Sequence, residues 1–367
     1  MDRTKRNRRT MLFGIAAIAG AALAVAGCGS SSSSSSTSST TGTSSTGSGS
    51  TFAALPYNTW CTNSKLCTYI SKGSGGGITD FTNGVVDWGA TDSPLKPSEL
   101  ATLATTRHGV TPIYFPTFLG AIGVPTNVSG ASSLQFSGKT LADIFDGTVT
   151  TWNSPEIAAE NPGVTLPSAA ITVCVRADSS GTSSNFSGYL GKESATFLQK
   201  VGAASKTPPW TAPHLSASPK NSGVLQCVKS NSNSIGYADM ADVTSAGDTN
   251  LVAKVKAPGG AYVSPTIAAV TAAGTTAKIG TPVVPKTLQA SLLNSTAAGA
   301  YPITITTFVL AYSNYQQAGM TKALAGTQSF LNYAYGSTAQ NALTALGDAP
   351  LPSSILSVAK SQVGTLH

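Results

Sequence analysis

Three short segments of the sequence combine glycine with hydroxyl-bearing side chains, and each precedes a helical or apolar stretch. They read GSTF at 49–52, GSGGG at 73–77 and DSSGT at 178–182. Small residues at a helix start expose backbone N–H groups, the helix dipole adds positive potential, and hydroxyls supply further donors. If the fold brings these segments together, they form a site suited to a tetrahedral oxyanion.

Two charged positions add to this chemistry. Arg176 follows the apolar run at 171–175. Its guanidinium is a planar fork of donors that matches two oxygens of an oxyanion, and Asp178 could hold it in place. Asp92 repels a fully ionised anion but accepts a hydrogen bond from one that keeps a proton, as phosphate does near neutral pH and sulfate does not. Each residue also has an ordinary alternative, which is a surface ion pair for the arginine and a turn cap for Asp92.

The segments that must position these residues alternate between strand-like and helix-like patterns. Aromatic and β-branched runs predict strands at 85–90, 111–123, 171–175 and 304–312, with a strand entry at 235–237. Apolar residues at helical spacing predict helices at 183–199, 322–335 and 338–346. Strands that alternate with helices predict an α/β fold in which helices cover the sheets.

The N-terminus has the pattern of an export signal. Residues 2–10 are basic, and residues 11–27 form an apolar run that is short for a membrane span. The run ends in Val-Ala-Gly before Cys28, which resembles a bacterial lipobox. We therefore expect residues 1–27 to be a signal peptide and Cys28 to receive lipid such as palmitate. The alternative is a short membrane anchor with an incidental cysteine.

Residues 29–50 contain only Gly, Ser and Thr. Such a tract cannot bury apolar surface and predicts a flexible tether. The expected arrangement is a lipidated cysteine and tether at 28–50 that hold a soluble body at the outer face of the cytoplasmic membrane or in the periplasm. Much of the formal charge of +7 lies in the signal, since residues 1–27 carry five basic residues against one acidic. The remaining charge is too small to predict nucleic-acid binding.

Four cysteines remain after Cys28, and an even number in an exported protein predicts two disulfides. The sequence alone allows three pairings. Cys61–Cys67 would close a tight local loop, and Cys174–Cys227 would then join a strand to a helix. No CxxC motif is present and the chain has three histidines, so we expect no metal site and no cofactor.

The order and spacing of these segments resemble the phosphate-binding lipoprotein of the bacterial high-affinity phosphate ABC transporter, over nearly all of residues 49–352. The stretch APLP at 349–352 is a weaker match. The matching stretches are GSTFAALPYNTW (49–60), GSGGGITDFTNGVVDWGATDSPL (73–95), KTLADIFDGTVTTWNSPEIAAENPG (139–163), VRADSSGTSSNFSGYL (175–190), SIGYAD (234–239) and YPITITTFVLAY (301–312).

The resemblance implies the two-lobed type II periplasmic binding protein fold, with the ligand cleft between the lobes. The first lobe would comprise residues 51–124 and 304–367, and the second lobe residues 125–303. The partners implied are inorganic phosphate and the permease subunits of an ABC transporter, with the membrane reached through the lipid anchor. The expected phosphate ligands are Thr51, Phe52, Ser74, Asp92, Arg176, Ser180, Gly181 and Thr182, with Asp178 orienting the arginine.

Two departures from the family pattern are visible. Only residues 61–72 separate Trp60 from the glycine-rich segment, which predicts a shortened helix stapled by the Cys61–Cys67 pair. In addition, Ser179 stands where the family often has glycine, so the backbone there should not need a conformation reserved for glycine.

Two other functions compete with phosphate capture. One is a binder or sensor of another oxyanion on the same fold, since transport and sensing need the same pocket. The other is a serine hydrolase, because Ser93 to Lys96 formally match an SxxK motif. The serine follows Asp92 in a proline-containing turn, whereas such nucleophiles belong at a helix start, and no GxSxG motif is present. We therefore expect a binding protein and no enzyme.

Overall fold

The structure, a computed structural model, describes residues 43–367. Among these residues no helix is long and apolar enough to cross a membrane. The expected signal peptide and the lipidation of Cys28 lie outside the described residues.

Thirteen strands occur in the described part of the chain. They are β1 (Ser45–Gly49), β2 (Cys67–Ser71), β3 (Trp88–Thr91), β4 (Pro112–Gly123), β5 (Thr126–Asn127), β6 (Gln135–Phe136), β7 (Thr172–Arg176), β8 (Leu215–Ser218), β9 (Ser234–Ile235), β10 (Ala238–Asp239), β11 (Lys254–Lys256), β12 (Tyr262–Val263) and β13 (Thr304–Tyr312).

Helices follow most of these strands and cover the sheets. They are α1 (Ala54–Ser64), α2 (Ser74–Thr82), α3 (Pro97–Thr106), α4 (Gly138–Phe145), α5 (Pro155–Glu160), α6 (Gly181–Glu193), α7 (Ala195–Lys200), α8 (Lys220–Ser230), α9 (Met240–Ser245), α10 (Ile267–Gly274), α11 (Pro285–Leu292), α12 (Leu324–Ala334), α13 (Ser337–Ala342) and α14 (Ser353–Val363).

The strands form sheets on two lobes. The first lobe is built on a six-stranded sheet in the order β10-β4-β13-β3-β1-β2, and the second lobe on a four-stranded sheet, β5-β9-β7-β8, and a three-stranded sheet, β12-β11-β6. In the first sheet β1 runs parallel to β2 and β3, whereas β13 runs antiparallel to β3 and β4. The α/β class is therefore confirmed. The lobe boundaries at 124 and 304 remain predictions, and β10 departs from them, because it lies within the range expected for the second lobe but pairs with β4 in the first sheet.

The core of the first lobe is aromatic. Tyr57 is fully buried, and its hydroxyl is 2.7 Å from the Thr117 hydroxyl. Because a buried phenol needs a hydrogen-bond partner, this contact fixes the ring at the centre of the cluster. The rings around it, with centroids 5.1–6.1 Å away, belong to Trp60, Tyr69, Trp88, Phe118 and Phe330.

The prediction of a tether that extends to residue 50 is wrong at its C-terminal end, because Ser45–Gly49 form β1 at an inner position of the first sheet. Glycine is required here for close packing. A Cβ at Gly47 would lie 2.3 Å from the Trp88 ring, and one at Gly49 would lie 2.0 Å from the Ala90 carbonyl oxygen. Composition alone could not separate such a strand from a flexible linker.

The other elements follow the predictions with shifted ends. The strand at 304–312 is confirmed residue for residue, and the strand expected at 85–90 lies at 88–91. The single helix expected at 183–199 is two helices, because Ser194 ends α6 and caps α7 by accepting the Phe197 N–H at 3.2 Å.

Both disulfide pairings are confirmed. Cys61 in the last turn of α1 is bonded to Cys67 at the start of β2, with the Cα atoms 4.8 Å apart. Cys174 in β7 is bonded to Cys227 in α8, with the Cα atoms 6.0 Å apart. The first helix therefore ends at Ser64 and is stapled to β2 by a disulfide, as predicted.

Candidate oxyanion site between the lobes

The predicted ligand residues all lie at strand ends or helix starts that face the junction of the two lobes. On the first lobe, Thr51 and Phe52 follow β1, Ser74 begins α2, and Asp92 follows β3. On the second lobe, Arg176 ends β7, and the third segment leads into α6. All eight predicted ligand residues are buried.

Asp92 is the acidic centre of this site and is 1% exposed. Its Oδ1 accepts the Ser50 hydroxyl at 2.5 Å, and its Oδ2 accepts the Ser74 hydroxyl at 3.3 Å. Burial raises the pKa of Asp92, while hydroxyl donors and the Arg176 charge act in the opposite direction. Each carboxylate oxygen has a second lone pair, so Asp92 can still accept a proton-bearing oxygen of a ligand.

Arg176 is held by a carboxylate, as the sequence predicted. Its Nε and Nη2 donate to the two oxygens of Asp178 at 2.8 and 2.5 Å. Burial alone would raise the pKa of Asp178, but the Arg176 hydrogen bond and charge, helped by the Lys220 N–H, outweigh it and lower that pKa. The Nη1 group donates to Asn221 Oδ1 at 2.8 Å. Three of the five guanidinium N–H donors are thus used, which leaves two for a ligand.

The third segment starts α6 against the first lobe. Ser180 caps the helix, since its hydroxyl accepts the Ser183 N–H at 3.1 Å. Gly181 must be glycine, because a Cβ there would lie 2.4 Å from Ser74 Oγ and 2.6 Å from Asp92 Oδ2. The Thr182 hydroxyl is buried without a partner among residues 43–367, so it is available to a ligand. Ser179 does not have a positive φ, in agreement with the prediction.

Direct contacts show that the cleft is closed. The Gly75 N–H of the first lobe donates to the Ser179 carbonyl of the second at 2.9 Å. The Asn185 side chain in α6 donates to the Asp92 carbonyl at 2.6 Å. These bonds bring Ser74, Asp92 and the start of α6 into one group.

The structure also adds residues that the sequence did not identify. The Ser50 hydroxyl donates to Asp92 and accepts the Phe52 N–H at 3.0 Å. The backbone N–H of the predicted ligand Phe52 is therefore already bonded to Ser50. Ser50 lies inside the first glycine-rich segment, so a signal was present. Asn185 lies inside the matching stretch at 175–190, although its residue type suggested no role. Asn221 lies outside every matching stretch, and nothing in its local sequence shows that tertiary packing brings it to the site.

The SxxK reading of residues 93–96 is not supported by the local geometry. Lys96 is the N-cap of α3, and Ser93 lies three residues before it, outside the helix. A nucleophile of that class needs the serine at the helix start with the lysine one turn later.

Two lobes with glycine- and hydroxyl-rich loops at the strand ends between them are the architecture of a solute-binding protein of the periplasmic type. The comparison of families agrees, since residues 29–338 match the PBP superfamily domain.

The chain is 32% identical to the phosphate-binding protein PstS of Xylella fastidiosa over 302 residues, which cover 82% of this chain and 77% of that protein. It is also 32% identical to PstS of Haemophilus influenzae over 328 residues, which cover 86% of this chain and 90% of that protein. The chain therefore belongs to the PstS family of phosphate-binding proteins.

Solved structures support the fold. A high-affinity periplasmic phosphate-binding protein, PfluDING, bound with phosphate, matches with a TM-score of 0.68 and 23% identity, over 87% of this chain and 94% of that one. A phosphate-binding protein from Stenotrophomonas maltophilia matches with a TM-score of 0.67 and 21% identity, over 87% and 94% of the two chains.

Proposed function

We propose that this protein captures inorganic phosphate outside the cytoplasm and delivers it to the permease of an ABC transporter. The PstS relatives are named for phosphate binding, and this chain shares their family over most of its length. In this role the site needs to bind, enclose and release its ligand, and no residue has to make or break a bond. A lipid at Cys28 would keep the protein beside its membrane partner.

The position of Asp92 is the observation that supports phosphate as the ligand. This carboxylate is buried and accepts the hydroxyls of Ser50 and Ser74, at the same cleft that holds the Arg176 guanidinium. A hydrogen phosphate ion satisfies both kinds of group, because its charged oxygens accept from the donors and its O–H donates to Asp92. Sulfate has no proton to donate, so its oxygen would face an unpaired carboxylate.

The test is calorimetric titration of the purified, ligand-stripped protein with phosphate and then sulfate at neutral pH. We expect one phosphate site of micromolar affinity or tighter and no sulfate heat. A preference for sulfate or another oxyanion would leave the fold assignment unchanged but contradict phosphate as the substrate. Hydrolysis of a chromogenic ester or phosphate ester would instead support the hydrolase alternative.

A further inference from the structure

Asn221 is not a predicted ligand, yet it contacts two residues that are, Thr51 and Arg176. It is the second residue of α8 and is fully buried. Its Nδ2 donates to Thr51 Oγ1 at 3.2 Å and to Asp239 Oδ2 at 2.7 Å. Its Oδ1 accepts the Arg176 Nη1–H at 2.8 Å. Both amide protons are therefore used, and none is left for a ligand.

The neighbours of Asn221 fix the orientation of its amide. An amide flip would turn its NH₂ group toward the Arg176 guanidinium, which has only donors. The same flip would remove the N–H donors that Thr51 Oγ1 and Asp239 Oδ2 accept. One orientation satisfies all three partners, so the side chain is held in a single geometry.

This geometry acts on two predicted ligands at once. Because the Thr51 hydroxyl accepts from Asn221, its own proton is free to point at a ligand oxygen. Because Asn221 takes one Nη1–H while Asp178 takes the Nε–H and one Nη2–H, each terminal nitrogen of Arg176 keeps one free N–H. Two free N–H groups on adjacent nitrogens match two phosphate oxygens.

The backbone before Asn221 is in a conformation that must be held in place. Lys220 has a φ of 64°, in the left-handed region that non-glycine residues rarely adopt. Its N–H donates to Asp178 Oδ1 at 3.0 Å, so the carboxylate that orients Arg176 also holds the start of α8. Backbone strain of this kind persists where surrounding contacts over-determine it, which is common at binding sites.

We propose that Asn221 is a positioning residue of the phosphate site that also joins the two lobes. Thr51 follows β1 in the first lobe, and Arg176 ends β7 in the second, so the amide bridges them only when the cleft is closed. Asn221 therefore couples ligand affinity to closure without contacting the ligand. This inference rests on the proposed phosphate function.

The test compares Asn221→Ala and Asn221→Asp with the wild-type protein. The control is Gln226→Glu, an amide-to-acid change at an exposed position of the same helix. Phosphate affinity is measured by calorimetry, dissociation by stopped-flow fluorescence, and the folded state by thermal unfolding without ligand. We expect both Asn221 variants to bind phosphate at least about tenfold more weakly, mainly through faster dissociation, since each loses the N–H donor to Thr51. The control should match the wild type.

A double-mutant cycle with Thr51→Val separates positioning from a merely structural role. If Asn221 acts through the Thr51 hydroxyl, the double variant loses less affinity than the product of the two single losses. Independent losses, or folded Asn221 variants with wild-type affinity and dissociation, would overturn the inference. If Asn221→Ala fails to fold, Asn221→Asp still tests the inference, because it keeps the side-chain size and the oxygen that accepts from Arg176. Failure of the wild-type protein to bind phosphate would instead overturn the proposed function.

Discussion

The ammonium group of Lys206 lies 2.9 Å from the carboxylate of Glu99, and this ion pair joins the two lobes. Glu99 belongs to α3 of the first lobe, whereas Lys206 lies in the segment after α7 of the second lobe. The Lys206 side chain is 3% exposed, so solvent screens the pair poorly. The Lys206 carbonyl also accepts the Ser180 N–H at 2.8 Å. Lys206 thus contacts both the first lobe, through its ammonium group, and the loop that starts α6, through its carbonyl.

The first prediction is that Lys206→Met speeds phosphate release. The variant leaves Glu99 without its partner in the closed form, while the open form hydrates that carboxylate, so the closed form loses free energy relative to the open one. Loss of one member of a buried charge pair acts mainly on dissociation, and we expect a rise of about tenfold or more. Stopped-flow release of phosphate measures it.

The control for Lys206→Met is Lys72→Met, which removes an ion pair with Asp80 inside the first lobe. The Lys72 side chain is 44% exposed, so this pair contributes little, and the release rate should not change. Equal release rates in the two variants would contradict a role of Lys206 in closure.

The second prediction concerns ligand choice. Asp92→Asn replaces an acceptor with a group that can also donate, which weakens the preference for a protonated oxyanion. The ratio of phosphate to sulfate affinity should fall by about a hundredfold or more, because a buried polar group rejects a ligand that leaves it unpaired. Competition titration with both anions measures the ratio. Asp248→Asn, at an ion pair with the exposed Lys229 outside the candidate site, is the control and should keep this ratio.

The third prediction concerns pH and Asp348. Both oxygens of this buried carboxyl lack a partner within residues 43–367. Burial, helped by the charge of Asp242, raises the pKa of Asp348 well above its usual range. The folded protein therefore binds this proton more tightly than the unfolded chain, in which the pKa is about 3.9. The resulting stabilisation is fully present below that pKa and is lost as the pH rises through the raised value.

Asp348→Asn cannot ionise, so it should melt at a higher temperature than the wild type at pH 8, with a difference that shrinks toward pH 4. Each unit of pKa shift corresponds to about 1.4 kcal/mol. Thermal unfolding across this pH range measures the effect, and Glu156→Gln, at an exposed acid in α5, provides the control. A pH-independent difference would show that packing, and not ionisation, distinguishes the variant.

Most of the candidate site could be predicted from the sequence, because the predicted ligand residues cluster in short segments at strand ends. Residue type alone left ordinary alternatives open for Asp92 and Arg176, and the resemblance to the phosphate-binding family supplied their expected roles. The structure brings both residues together with the third loop. Asn221 could not be identified, because it reaches the site through the packing of α8 against β7. Asparagine at a helix start is commonplace, so nothing local distinguishes one that bridges two lobes.

The sequence was least informative where composition and tertiary context disagree. The run at 45–49 contains only Ser, Thr and Gly, which predicts a linker, yet it lies between two strands. Its stabilisation comes from its neighbours: the Trp88 indole packs over Gly47 and donates to Ser45 Oγ at 3.1 Å. Intrinsic propensity could not reveal this, because the packing partner is far along the chain.

The fourth prediction follows from that strand. A chain that begins at residue 51 lacks β1, so the backbone groups of β2 and β3 lose their shared partner inside the sheet. Each lost hydrogen bond costs about 0.5–1.5 kcal/mol, and orphaned buried groups cost more, so the sum approaches a typical net stability of about 5–15 kcal/mol. A chain that begins at residue 43 keeps every one of these bonds. We expect 43–367 to unfold cooperatively and bind phosphate, and 51–367 to do neither. Thermal unfolding by circular dichroism compares them, and equal melting temperatures would mean that the tether does extend to residue 50.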